Sequence, residues 1–174
     1  GVVLGEVARL ERLLDSALRH SQPERLGDSS SNAEVPASLA TLKGLLEHRA
    51  GEKGVRLVCQ AEPEAVGVAI SSDALQQVLL NLTLNALGAT PAGGEVHVRA
   101  YRPAVAQGPA IEFTVEDTGP GIPEADRERV FEPFESGRSG RPGGLGLAIS
   151  KRLVEEAGGC ITLGDAQGGG ARLV

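Results

Sequence analysis

Two asparagines, Asn81 and Asn85, stand four apart in the leucine-rich run LNLTLNALGAT, residues 80–90. Asparagine is a poor helix-interior residue because its amide competes with the backbone for hydrogen bonds. Leu75, Val78, Leu79, Leu82 and Ala86 make an apolar stripe at helical spacing, and Gln77, Asn81 and Asn85 make a second stripe about 100° from it. A helix so patterned buries one face and offers a row of amides at the edge of the core. An amide oxygen is a hard ligand of the kind Mg²⁺ accepts, alongside substrate phosphates and waters. The plainer reading stands beside it: two amides that cap a neighbouring loop or face solvent.

A second candidate is VEDTGPGIP, residues 115–123. A strand ends at Asp117, and Gly119 and Gly121 let the backbone take positive φ or approach a flat ligand closely. An ionised carboxylate there can accept a hydrogen bond from an exocyclic amine such as that of adenine; an ordinary Asx turn explains the pattern equally well. A third is RPGGLGLAIS, residues 141–150, where Gly143, Gly144 and Gly146 lead into a helix whose free N–H groups and dipole favour an anion. It is neither a Walker A loop, since no G-K-[ST] follows, nor a dinucleotide fingerprint. Close packing alone also accounts for such glycines.

The elements that must position these residues follow from patterning. Residues 2–20 put Val3, Val7, Leu10, Leu14 and Ala17 at spacings of four and three, a coiled-coil or bundle seam that implies a partner helix. Residues 21–36 form a polar linker with two prolines and a serine run. A compact domain is expected over 37–174. SLATLKGLLEHRAGEKG reads as a helix, VRLVCQ and VGVAI as strands, and SSDALQQVLLNLTLNALGAT as a helix capped by Ser71 or Ser72. EVHVRAY and AIEFTVED read as strands, PEADRERVF as a short helix, GLGLAISKRLVEEAGG as a helix and CITLGDAQGGGARLV as two strands. Mixed helices and strands with short turns predict an α/β (α+β) two-layer sandwich with a mixed, largely antiparallel sheet, preceded by an N-terminal amphipathic helix.

Composition bounds the rest. The chain has 174 residues, 41% hydrophobic and 23% charged, enough for one full-sized domain. No apolar run reaches the roughly 18 to 20 residues that cross a bilayer, and the seventeen basic residues are scattered at a net charge of −6. We therefore expect no nucleic-acid partner and no membrane contact. Cys59 and Cys160 sit in strand-like stretches and read as small buried hydrophobes without a disulfide, which fits a reducing cytoplasm. The chain opens on glycine and closes in ARLV, from which we expect a piece of a longer protein.

Taken in order, LLNLTLNA, EDTGPGI, VFEPF and GGLGLAISKRL resemble the N, G1, F and G2 boxes of the GHKL ATPase family, specifically the catalytic domain of sensor histidine kinases. The resemblance is dense over residues 72–159 and extends to about 37–174; the seam helix and linker are similar to that family's second dimerisation helix. It implies the Bergerat fold, with ATP and Mg²⁺ bound. By it, Asn85 would coordinate Mg²⁺ and Asn81 would support the metal and its waters. Asp117 would hold the adenine amine, with Gly119, Gly121 and Ile122 shaping the pocket. Gly143, Gly144, Leu145, Gly146 and Leu147 would surround the phosphates, and Phe131 with Phe134 would anchor an ATP lid over residues 135–143. Hydrolysing relatives have a glutamate where this chain has Asn81, so the implied chemistry is phosphoryl transfer with little attack by water.

Departures sharpen the expectation. Gly88 stands where many members have a phosphate-binding lysine or arginine, and Pro142 to Leu147 lacks the threonine of the usual G2 box. Arg138 and Arg141 are the lid cations that could replace them, against the plainer reading of two solvated arginines. None of His20, His48 or His97 has the acidic residue and following pattern of the family's phosphoacceptor, so the acceptor is expected upstream of Gly1. The implied partners are a response regulator receiver domain and a second copy of the chain through the dimerisation helices. Two other readings are a GHKL serine kinase of the anti-sigma-factor type and a degenerate nucleotide-binding scaffold.

Overall fold

The computed structural model describes residues 32–104, 110–132, 145–166 and 170–174. The expected seam helix, most of the linker, the lid over 135–143 and, with them, Phe134, Arg138, Arg141, Gly143 and Gly144 lie outside these residues. Residues 33–36, assigned to the linker above, belong to the folded body. Strand β1 (Ala33–Glu34) pairs antiparallel with β3 (Gly67–Val68), and Ala33 and Val35 are fully buried. The β3 ribbon is all that forms of the expected VGVAI strand, and it stays apart from the main sheet.

Helix α1 (Val35–Glu52) begins with Pro36 in its first turn, where the missing N–H costs nothing. Its buried residues Val35, Leu39, Leu42, Leu46 and Ala50 recur every three or four positions and cover β2 (Arg56–Ala61). Helix α2 (Ser72–Ala89) crosses from β2 to β4 (Glu95–Tyr101), which lie parallel. The other neighbours, β4 with β5 (Glu112–Asp117), β5 with β7 (Ala171–Leu173) and β7 with β6 (Leu163–Asp165), are antiparallel. The order β2-β4-β5-β7-β6 is the mixed, largely antiparallel sheet that patterning predicts.

Alternation divides the sheet's faces. Val96, Val98 and Ala100 of β4 are buried under the helices, while His97 and Arg99 register opposite Glu116 and Thr114 on the other face. That outer face is bound by ion pairs, Arg56 with Glu95 and Arg172 Nε with Glu116 at 3.2 Å among them. The exposed pairs among these are worth little individually, so burial of the core, Leu42, Leu79 and Val96 among it, does most of the stabilising.

Two expectations change in the C-terminal half. PEADRERVF forms two single 3₁₀ turns, Glu124–Asp126 and Arg129–Phe131, because Pro123 starts the segment and no continuous apolar stripe follows to favour an α-helix. Cys160 is exposed and precedes the strand, correcting its reading as a buried residue, while Cys59 is half-buried and both thiols are free. Helix α3 (Gly146–Glu156) packs on α2 and carries the G2 sequence. Among the described residues, no helix is long and apolar enough to cross a membrane.

Candidate functional site

Helix α2 is fixed at both ends, which holds its amide face steady. The Ser71 hydroxyl accepts from the Ala74 N–H at 3.2 Å, with Asp73 complementing the dipole in the first turn. At the other end the Thr90 hydroxyl donates to Ala86 O at 2.7 Å, and the Lys53 amine donates to the Leu87 carbonyl and to Gly88 O at 2.8 Å. A cation at a helix C-terminus meets both orphan carbonyls and the negative end of the dipole. The expected apolar stripe, Leu75, Val78, Leu79, Leu82 and Ala86, is buried. Asn85 is exposed and Asn81 is half-buried.

The two asparagines have different surroundings. Asn81 Nδ2 donates to Gly146 O at 3.2 Å and to Ser150 Oγ at 3.4 Å, so its donors reach into the first turns of α3. Asn85 presents its amide to solvent one turn later.

Strand β5 delivers Asp117, which is only 5% exposed. Its Oδ1 accepts the Gly119 N–H at 2.8 Å, and the Ala171 N–H on the adjacent β7 donates to the carboxylate as well. Burial nevertheless dominates and raises the carboxyl's pKa above the usual aspartate range, the two N–H donors offsetting only part of that shift. Close packing explains the glycines here. A Cβ on Gly119 would come within 2.8 Å of Asp117 Oδ1 and 3.0 Å of Ala89 O, so the turn lies directly against the last turn of α2. Gly121 adopts φ +72° and its Cβ would meet Gly170 O at 3.1 Å.

Gly170 escaped the sequence reading. Its φ is +91°, and a Cβ there would sit 1.9 Å from Asp117 O, which only a residue without a side chain can occupy. The glycine run before the last strand was the available signal. Arg127 was missed too: its Nε donates to Ile122 O at 3.2 Å and its guanidinium pairs with Asp165, tying the end of the DTGPGI loop to β6. Neither residue belongs to a motif that spacing alone would mark.

Leu145 is exposed at the start of α3, while Gly146 and Leu147 are half-buried and Leu147 packs on the core. The Lys151 amine lies 5.6 Å from the centre of the Phe131 ring, linking α3 to the 3₁₀ turn that carries the first F-box phenylalanine. Thus α2 touches the carboxylate turn through Ala89 and the start of α3 through Asn81. Three motifs separated in sequence converge on one helix.

Comparison with known proteins agrees with this geometry. Residues 70–174 match the family described as histidine kinase-, DNA gyrase B-, and HSP90-like ATPase. The sensor histidine kinase TmoS of Ectopseudomonas mendocina is 32% identical over 170 residues, 94% of this chain and 17% of that protein. The sensor histidine kinase AruS of Pseudomonas aeruginosa is 46% identical over 134 residues, 73% of this chain and 13% of that protein. The chain therefore spans less than a fifth of the length of either relative. The crystal structure of full-length ShkA in complex with AMPPNP superposes with a TM-score of 0.70 at 32% identity, covering 91% of this chain and 32% of that one. With its amide helix, buried carboxylate turn and glycine-led helix joined as described, the chain belongs to the histidine kinase-, gyrase B- and HSP90-like ATPase family and carries the ATP-binding catalytic domain of the sensor histidine kinases.

Proposed function

We propose that this domain binds Mg²⁺·ATP along the exposed edge of α2 and transfers the γ-phosphoryl group to a histidine outside residues 1–174. The observation that carries this reading is the convergence on α2 of the Asp117 turn, the Asn85 amide and the first turn of α3. In this reading Asp117 accepts from the adenine amine, Gly119, Gly121 and Ile122 wall the base, and the α3 start with Gly143, Gly144, Leu145, Gly146 and Leu147 faces the phosphates. Arg138 and Arg141 supply positive charge that Gly88 cannot.

Among the described residues, no cluster of three or more His, Cys, Asp or Glu could hold a metal ion. The donor set suits a cation bound by the Asn85 amide oxygen together with the nucleotide's own phosphates. Bound there, Mg²⁺ supplies charge neutralisation at the phosphate oxygens. The chain's own residues orient the nucleotide and shield its reacting end. Asn81, an amide, cannot take a proton from water, which favours transfer to a positioned acceptor over hydrolysis.

The acceptor histidine, pairing of two copies through the seam of Val3, Val7, Leu10, Leu14 and Ala17, onward transfer to a response regulator receiver domain and a cytoplasmic setting all extend this reading from the family to the whole protein. Calorimetric titration with AMPPNP, with and without Mg²⁺, tests its core. Asp117→Asn and Asn85→Ala should each weaken binding about tenfold or more, and only Asn85→Ala should lose the Mg²⁺ dependence. The Arg138→Ala, Arg141→Ala double variant should weaken AMPPNP but not adenosine. Absence of nucleotide binding by the unaltered chain would leave a scaffold as the better description.

A further inference from the structure

We infer that Ser150 and Asn81 form a positioning pair that sets the phosphate-facing start of α3 and turns the Asn81 amide so that its oxygen, not its nitrogen, is available to the nucleotide side. The inference rests on the nucleotide reading above and adds to it a residue, Ser150, that no motif marks.

Ser150 is the one residue of α3 that is fully buried, and it is polar. A buried hydroxyl without a partner is costly, and this one accepts from Asn81 Nδ2 at 3.4 Å. The same nitrogen donates to Gly146 O at 3.2 Å, one helical turn earlier. An NH₂ group has two hydrogens, and both are directed at α3, one to each end of its first turn. The two acceptors lie 65 and 69 residues away from Asn81 in the chain, so this is a tertiary clamp between helices.

The clamp has a chemical consequence. An amide that rotated by half a turn would aim N–H groups at the phosphate side and its oxygen at the Gly146 carbonyl, setting two acceptors against each other. Because the Gly146 carbonyl can only accept, that flip is disfavoured, Ser150 holds the second N–H of the unflipped amide, and Asn81 Oδ1 is left as an acceptor for water or for a cation's hydration shell. Steric fit does not dictate the glycine at Gly146: a Cβ there would meet the Asn81 side chain at 3.6 Å, an ordinary contact, so the clamp itself fixes the spacing. Asn81 is thereby a positioning residue shared by α3 and the amide face, and Ser150 acts through it.

The test is a double-mutant cycle on the whole chain, with Ser150→Ala, Asn81→Ala and the pair, each first checked for an intact cooperative melt. AMPPNP with Mg²⁺ and adenosine, which lacks phosphates, are titrated calorimetrically, and amide hydrogen exchange reads the first turns of α3. Ser150→Ala should lower AMPPNP affinity about tenfold, the effect of one lost polar contact, leave adenosine affinity within about twofold, and speed exchange at residues 149 and 150. In the Asn81→Ala background the further Ser150→Ala change should have no effect on AMPPNP, the signature of residues acting as one unit. Ser150→Thr, which keeps the hydroxyl, should restore AMPPNP affinity. Additive losses, equal losses for adenosine and AMPPNP, or an unchanged affinity in Ser150→Ala would each overturn the clamp while leaving the nucleotide site standing. If the unaltered chain binds no AMPPNP, the nucleotide reading fails and the clamp's functional meaning falls with it.

Discussion

Asp117 carries the clearest conflict between stability and proposed function. Its carboxylate is buried beside two backbone N–H donors, and burial raises its pKa above the ordinary range. A carboxyl whose folded pKa exceeds its unfolded value binds its proton more tightly in the native state. It therefore favours folding at acid pH, and that contribution is lost as pH rises from the unfolded pKa through the folded one. In the nucleotide-free domain, the stability of wild type relative to Asp117→Asn should fall across that window, measured by urea denaturation at a series of pH values. A pH-independent difference would mean that the carboxylate is better solvated than its surroundings suggest. AMPPNP affinity should move the opposite way, weakening as pH drops through the folded pKa, because a protonated carboxyl is a poorer acceptor for an amine. Gly170 is a purely steric case. Gly170→Ala must accommodate φ +91° and a carbon 1.9 Å from Asp117 O, and should cost about 3 kcal/mol or more in chemical denaturation; a loss under about 1 kcal/mol would contradict the fit of β7 against Asp117.

Among the elements, α2 carries the proposed site, and its ends are secured by groups outside the proposed ligand contacts. Ser71→Ala removes the hydroxyl that accepts from Ala74 N–H and should destabilise the domain by about 1 kcal/mol, with AMPPNP affinity within about twofold of wild type. A large loss of affinity at unchanged stability would show that the N-terminus of α2 contacts the nucleotide. The long apolar stripe made this helix readable from sequence, because burial of one face at helical period is a strong local signal. The segment after Pro123 was not readable in the same way. Its polar residues fit a helix by propensity, yet without a buried stripe to reward α-helical spacing the chain settles into two 3₁₀ turns braced by Arg127.

At the scale of the molecule, the covered and open faces of the sheet divide labour: helices seal one side, and ion pairs line the other. The proposed site lies on the helical layer where α2, the Asp117 turn and α3 meet. Of the three histidines, the two described, His48 and His97, lie on α1 and on the outer sheet face, the latter beside Glu95 at 2.8 Å. Their described partners are Glu52 and Glu95, respectively. Incubation of the chain with γ-labelled ATP and Mg²⁺ should therefore leave it unlabelled, and addition of a histidine-bearing dimerisation hairpin from the same protein should yield acid-labile phosphohistidine on that hairpin. Labelling of the chain on any of its own histidines would overturn the assignment of the acceptor to another segment.

The sequence carried the local terms. Apolar period gave α2 and its buried stripe, alternation gave β4 and β5, and glycines beside Asp117 marked a tight turn, because each depends on neighbours within a few residues. Family likeness supplied the ATP-binding reading from four short boxes in order. Contacts between distant segments lay beyond any local pattern. Gly170 beneath Asp117, Arg127 across to Asp165, Lys53 on the end of α2 and the Ser150 hydroxyl on Asn81 all join residues more than 30 positions apart. Such pairs exist only once the sheet order β2-β4-β5-β7-β6 has brought their strands and helices together. Burial likewise separated Cys59 from Cys160 and raised the pKa of Asp117, since the electrostatic environment of a side chain belongs to everything packed around it rather than to its place in the chain.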